Sequence, residues 1–311
     1  MKAFITGVSG FVGAALAREL LRRGHSVHGL VRGTTQWRLT DIQDRITLHT
    51  GDLIDKESVG RAMSAAQPSV VFHLGAYGTY PGKQSDVQQI LETTIFGSLN
   101  VFTTAKEYGV PQIISVGSSS EYGTKNHPMC EDELLEPNSY YGVGKAAQTL
   151  LGAHMARSDG VSITTVRLFS VFGPFEEPGR FVPTVIRNAL LGEDIAIADP
   201  SIARDYCYVS DAIEALILAG EKTNLSGEII NVSNGKQHTL MDVYDAVIAA
   251  TGSNSKAVVG AHEKRTFDTK TWVADVEKMR TLLGFTPRFS LAEGIMDMVK
   301  WFPEHAHVYD H

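Results

Sequence analysis

The stretch ITGVSGFVG, residues 5–13, places Gly7, Gly10 and Gly13 three residues apart, straight after the apolar run KAFIT and at the head of FVGAALARELLRRG. KAFIT has the length and composition of a strand. The following stretch carries apolar residues at helical spacing and stops at Gly24. A strand that turns through glycines into a helix narrows the possible folds sharply. One glycine permits the tight turn, one lets a pyrophosphate approach the backbone, and one lets helix and strand pack closely. The helix N-terminus adds free N–H donors and the positive end of its dipole. Gly7, Ser9, Gly10, Phe11, Val12 and Gly13 are therefore expected to line a phosphate site.

The rest of the first half repeats that rhythm. KAFIT, SVHGLV, ITLHTGDL, SVVFHLG, QIISVGS and ITTVRLF are apolar runs of strand length. Helical patterns at Val12–Arg23, Lys56–Ala66, Ile90–Tyr108 and Tyr141–Ser158 alternate with them. Strands apolar on both sides and alternating with helices imply a parallel sheet covered on both faces, an α/β fold of the doubly wound Rossmann type. After Leu168 the rhythm loosens: FGPFEEPGRFVP reads as a shaped loop, followed by short helices, a strand at GEIINVS and a last helical stretch from Leu291 to Trp301. No repeat, low-complexity tract or linker is present. The expected division is a dinucleotide-binding domain over residues 1–168 with a return segment around 205–234. A smaller α/β substrate-binding region is expected from 169–204 and 235–311.

Composition excludes several alternatives. With 43% hydrophobic and 20% charged residues, the 311-residue chain can bury a core. A formal charge of -7 opposes general binding of a nucleic acid polymer. Cys130 and Cys207 have neither metal spacing nor a disulfide framework, which points to a reducing cytoplasm. No apolar run approaches a membrane span and no signal peptide precedes the first strand, so the chain reads as cytoplasmic and complete. The tail HAHVYDH reads as solvated terminal histidines, with no metal site expected.

The glycine pattern is T-G-x-x-G-x-x-G, and with it the sequence resembles the extended short-chain dehydrogenase/reductase family over nearly its whole length. GDL at Gly51–Leu53 resembles the family's adenine-side turn, which brings in Asp52 and Leu53. HLGA at His73–Ala76 resembles its strand end beside the cofactor, which brings in Leu74, Gly75 and Ala76. YYGVGK holds its Y-x-x-x-K pair as Tyr141 and Lys145, and RDYCYVSD at Arg204–Asp211 matches a motif of members that act on nucleotide sugars. The resemblance implies a nicotinamide cofactor, a nucleotide diphosphate sugar as substrate, and a homodimer paired through the helices 90–108 and 141–158.

Tyr141 and Lys145, four residues apart, share one face of a helix, a spacing that Tyr140 lacks. A nearby ammonium favours the phenolate and is expected to lower the phenol from its usual pKa near 10. The same tyrosine can give a proton to a carbonyl or take one from an alcohol. In the family the lysine also holds the nicotinamide ribose. The family pattern puts a catalytic Ser or Thr five residues before the glycine of a Y-G pair, and Gly123 then selects Ser118. Ser119 and Ser120 read either as backbone caps or as substrate contacts.

The second strand ends in Arg32, with Arg38 nearby, where NAD sites of this kind usually carry an acid. An arginine suits a 2′-phosphate, so the expected cofactor is NADP, with NAD as the alternative. Arg180 and Arg204 are candidates for the substrate diphosphate, and Ser170 stands where the family commonly has asparagine, as does Thr94. Dehydratases of the family follow the hydroxyl with acidic residues, whereas here Ser119 and Ser120 occupy those places and Glu121 comes one position late. The expected reaction is reduction of an NDP-4-keto-6-deoxy-hexose. The alternatives are an NDP-sugar epimerase with tightly held NAD, then a 4,6-dehydratase, and from a different class a dinucleotide sensor without turnover. Such sensors typically lose the Tyr or the Lys.

Overall fold

The computed structural model describes residues 1–33, 37–79, 85–260 and 268–306. The first half runs β1 (Lys2–Thr6), α1 (Phe11–Arg22), β2 (Ser26–Val31), β3 (Thr47–Thr50), α2 (Lys56–Ala66) and β4 (Val70–His73). It continues with α3 (Val87–Leu91), α4 (Gly97–Glu107), β5 (Ile113–Ser118), α5 (Tyr140–Ser158) and β6 (Ile163–Leu168). The second half holds β7 (Ser170–Phe172), α6 (Phe181–Leu191), β8 (Ile195–Ile197), β9 (Ala203–Tyr208), α7 (Val209–Glu221) and β10 (Ile229–Val232). It ends with β11 (Gln237–Thr239), α8 (Leu240–Thr251), β12 (Ala257–Val259) and α9 (Leu291–His305).

Seven strands form one parallel sheet in the order β10-β6-β5-β4-β1-β2-β3. All residues of β4 and of β6 are buried, as strands with helices on both faces require. This is the α/β doubly wound fold expected from the alternation. The order reverses between β1 and β4, and ligands of such sheets sit at that point, beyond the carboxyl ends of the strands. The glycine turn leaves β1 at this crevice, and the serine turn leaves β5 one strand beyond β4.

Strands β11, β9 and β7 form a small mixed sheet, and β8 pairs with β12. Together with α6, α8 and α9 they enclose a separate core that includes Val185, Ile186, Val243, Val247, Ile295 and Met298. Between these parts the chain returns to the large sheet, with α7 packed against α1 and β10 added beside β6.

The helical stretch expected at Ile90–Tyr108 is interrupted. It starts three residues earlier, at Val87, where Asp86 caps it by accepting from Gln89 N, and a wide π-turn at Glu92–Phe96 separates α3 from α4. The extra residue in that turn lets Thr93 and Thr94 both lie buried. The last helix runs four residues beyond Trp301, to His305. Of the histidine-rich tail, residues 307–311 lie outside the described part. Among the described residues no group of three or more His, Cys, Asp or Glu side chains could hold a metal, and no helix is long and apolar enough to cross a membrane.

Candidate active site

Each glycine of the first turn has its own reason. Gly7 has φ +71°, in the left-handed region that a side chain rarely adopts, and a Cβ there would lie 2.8 Å from Gly75 N. A Cβ on Gly13 would lie 2.2 Å from Gly7 O, so this glycine lets α1 pack on the turn. Gly10 is the N-cap of α1, without a side-chain cap, and a Cβ there would meet only Gly7 O, at 3.2 Å. Gly10 thus opens α1 at the end of β1, where the first N–H groups of the helix lack helical carbonyl partners, a chemistry that fits a pyrophosphate.

Arg32 follows β2, is exposed, and lines a cleft of about 370 Å³ with Asp52, Ile54, Asp86, Gln88, Gln89, Glu92 and Thr93. Leu53 is buried beside it, and its carbonyl accepts from Asn100 Nδ2 at 2.9 Å. Leu74 N donates to Thr6 O at 3.2 Å and Gly75 N to Thr6 Oγ1 at 3.1 Å, which holds the β4 end, with Ala76 beyond it, against β1. Arg38 does not join Arg32. Its guanidinium donates to Phe175 O at 2.9 Å and to Glu177 Oε2 at 2.8 Å, and so ties down the loop after β7 instead.

Ser118 ends β5. Its Oγ accepts from Ser120 N at 3.1 Å, and its own N donates to Glu121 Oε1 at 2.8 Å. The capping role considered for Ser119 and Ser120 thus falls to Ser118, whose hydroxyl proton remains available to donate. On α5, Gly142 brings the first turn onto this serine turn, since a Cβ there would lie 2.5 Å from Ser120 O. Tyr141 and Lys145 are thereby carried to the end of β5, while Tyr140 stays 58% exposed.

Lys145 is buried, and its Nζ donates to Val116 O at 2.8 Å and to Gln148 Oε1 at 3.0 Å. Gln148 Nε2 in turn donates to Ser115 Oγ at 2.8 Å. Burial brings the Lys145 ammonium down to about 8, against the opposing pull of Glu121. Burial pushes the Tyr141 phenol up to about 12, while the Ser118 side chain opposes the rise. The lowered phenol expected from the sequence is not found. Desolvation outweighs the neighbouring charges, and the ammonium is bonded along β5 to Val116 and to Gln148. At neutral pH the phenol keeps its proton.

The other candidates are distributed around this centre. Ser119 Oγ is buried and accepts from Trp272 Nε1 at 3.1 Å, whereas Ser120 is half-buried. Ser170 opens β7 in register with Tyr206 of β9. Arg180 caps α6, and its Nε donates to Glu176 Oε1 at 3.3 Å. Arg204 donates to Ala203 O at 2.7 Å and Asp268 Oδ1 at 3.2 Å, with its guanidinium 5.3 Å from the Trp272 ring centroid. Glu121 turns inward, where Oε2 accepts from Arg167 Nε at 2.8 Å and both side chains are buried. Removing one member of such a pair costs about 3–5 kcal/mol, so the carboxylate is fixed there.

Three participants were not singled out from the sequence. Gln148 and Arg167 carry no motif of their own, although Gln148 lies three residues after Lys145 and so on its face. His73 ends β4 between Thr6 Oγ1, at 2.7 Å, and Ser98 Oγ, at 2.8 Å, and burial brings it down to about 3. Its place directly before Leu74 was the available signal.

Residues 3–233 match the NAD dependent epimerase/dehydratase family. The chain belongs to that family. It is 30% identical to the UDP-N-acetyl-alpha-D-glucosaminuronate decarboxylase of Bacillus cytotoxicus, over 97% of this chain and 98% of that one. The UDP-glucose 4-epimerase of Thermotoga maritima, solved with UDP-glucose, superposes with a TM-score of 0.91 at 26% identity, over 98% of this chain and 100% of that one. The UDP-glucose 4-epimerase of Thermus thermophilus, solved with NAD, gives a TM-score of 0.88 at 27% identity, over 98% and 100%. The chain is therefore an enzyme of the nucleotide-sugar epimerase and dehydratase type, built to use a nicotinamide dinucleotide.

Proposed function

We propose that this enzyme reduces a nucleotide diphosphate 4-keto-6-deoxy-hexose with NADPH. The observation that carries the reading is the withdrawal of Glu121, the only carboxylate of the serine turn, into its pair with Arg167, which leaves Ser118 and the Tyr141 phenol, whose proton burial favours, at the end of β5. A proton donor without a carboxylate partner suits addition to a carbonyl better than elimination of water.

In this reading residues 1–168, with the return around 205–234, hold the dinucleotide, and the remaining segments hold the sugar nucleotide. Gly10, Phe11, Val12 and their neighbours Gly7, Ser9 and Gly13 would hold the pyrophosphate, and Asp52, Leu53, Leu74, Gly75 and Ala76 would flank the adenosine and nicotinamide halves. Arg32 would meet a 2′-phosphate. When bound, the reduced cofactor supplies a hydride to the carbonyl carbon. Ser118 donates a hydrogen bond to the carbonyl oxygen, Tyr141 delivers the proton to that oxygen, and Lys145 orients the ribose and supports the tyrosinate left behind. Arg180 and Arg204 would face the substrate diphosphate; Ser119, Ser120 and Ser170 would line the sugar.

A second reading is epimerisation with NAD held through the cycle, and the two UDP-glucose 4-epimerases with similar folds favour it. Stoichiometry separates the readings. The proposed reductase consumes one NADPH for each 4-keto sugar nucleotide, followed by absorbance and mass spectrometry. Tightly held nicotinamide and interconversion of sugar nucleotides with no net NADPH loss would establish the epimerase instead. The free thiols of Cys130 and Cys207 fit a reducing cytoplasm. The exposed Phe96, Leu99, Val143 and Leu150 beside and on α4 and α5 fit a homodimer face.

A further inference from the structure

Behind the serine turn lies a buried charge that the reaction as proposed does not use. Glu121 is completely buried, and its two oxygens do different things. Oε1 accepts from Ser118 N, while Oε2 accepts from Arg167 Nε, both at 2.8 Å. Arg167 is held from its other side, where Nη1 donates to the Tyr122 hydroxyl at 2.8 Å and to Glu131 O at 3.1 Å. The pair is thus clamped between β6, the serine turn and the chain that follows it. A Cβ at Gly117 would lie 2.5 Å from Glu121 Oε1, so the carboxylate rests directly on the strand that carries Ser118.

Lys145 is bonded to the same strand. Its Nζ meets Val116 O, two residues before the Ser118 amide that Glu121 holds. The groups that face Lys145 are His73 from β4, Val116 O from β5, Gln148 from its own helix and Glu121 from the serine turn, with Tyr141 one turn earlier on α5. His73, brought down to about 3, is neutral in the working range, and so is the Tyr141 phenol. Glu121 is faced in turn by Arg167, Thr149, Lys145 and Tyr141; burial pushes its carboxyl up, and the guanidinium at 2.8 Å, with the bond from Ser118 N, opposes that rise and favours the carboxylate.

We infer that Glu121 is a positioning residue of the active site, which fixes the Ser118 amide with one oxygen and sets its negative charge against the buried Lys145 ammonium. The inference rests on the roles proposed above for Ser118 and Lys145. Burial alone pulls Lys145 toward the neutral amine, and an opposite charge nearby restores the ammonium. Glu121 therefore keeps Lys145 charged over the range in which the enzyme must work.

The test reads Lys145 directly. The protein is labelled with ¹³C at the lysine ε-carbons, and the signal absent from Lys145→Met is titrated by NMR. In the wild type its midpoint should lie near 8. In Glu121→Gln it should fall by about one pH unit, the effect of losing a nearby opposite charge. The alkaline limb of kcat should fall with it, and KM for the sugar nucleotide should stay within about twofold. A double variant, Glu121→Gln with Arg167→Met, removes both charges and serves if the single variant does not fold. A Lys145 midpoint unmoved in either variant overturns the inference, since a purely structural Glu121 would change stability and not this titration. A wild type that turns over no sugar nucleotide counts against the proposed reaction, while the NMR titration still decides whether Glu121 faces Lys145.

Discussion

His73 Nδ1 lies 2.7 Å from Thr6 Oγ1, so a buried side-chain hydrogen bond joins the ends of β4 and β1 where the strand order reverses. With Ser98 Oγ at 2.8 Å from Nε2, the imidazole is bonded at both nitrogens and sealed from water. The ring that braces the crevice must therefore stay neutral. Burial, with the Lys145 charge adding to it, brings it down to about 3 from 6.5.

Acid should destabilise the enzyme through this residue. Above the unfolded value of 6.5 neither state takes up the proton, and between 6.5 and about 3 only the unfolded chain does. Stability therefore falls as pH falls through that window, by up to about 1.4 kcal/mol per pH unit for one proton. Urea unfolding at successive pH values should show a shallower dependence for His73→Gln than for the wild type. Equal slopes would mean that His73 titrates alike in both states.

Tyr141→Phe should leave the fold and dinucleotide binding intact while cutting turnover by about 10²-fold or more, the usual worth of a positioned acid or base. Circular dichroism, cofactor titration and initial rates check the three parts separately. Near-normal turnover would remove Tyr141 from the chemistry.

Arg32→Asp should weaken NADPH binding much more than NADH binding, because a carboxylate would repel the 2′-phosphate that the guanidinium attracts. The exposure of Arg32 in the cleft with Asp52 leaves it accessible for that contact. Fluorescence titration of both cofactors into both proteins is the measurement. A wild type that already prefers NADH sinks the assignment.

Leu150 is 62% exposed on α5, one heptad after the exposed Val143, with Phe96 at the head of α4 58% exposed. If this face joins two copies, Leu150→Glu places a charge where apolar surface should be buried and should yield monomer. Sedimentation velocity of the two proteins reports it. An unchanged mass, whether both are monomers or both dimers, would assign these side chains to something else.

The departures from the sequence reading have a common physical form. Arg32 and Arg38 look alike in the sequence, yet Arg38 bonds to Phe175 and Glu177, 137 and 139 residues away. Ser119 faces Trp272 across 153 residues. The expectation of a lowered Tyr141 phenol used a spacing, which is local. Its failure came from desolvation, which depends on everything packed around the ring. The position of Glu121 separates it from the dehydratase pattern in the sequence, but its partner Arg167 lies on β6, with no fixed distance along the chain.

By itself the sequence determined what depends on neighbours in the chain. The glycine spacing dictates a strand-to-helix turn, the period of apolar residues dictates a covered parallel sheet, and four residues of helix put Tyr141 and Lys145 on one face. Tertiary structure alone decided which charges are buried, which are paired, and where each is aimed. It turned Lys145 toward Val116, drew Glu121 into a pair with Arg167, and left Arg32 open in the cleft. Those outcomes follow from burial and charge pairing between strands that the chain brings together only on folding, and no local pattern encodes them.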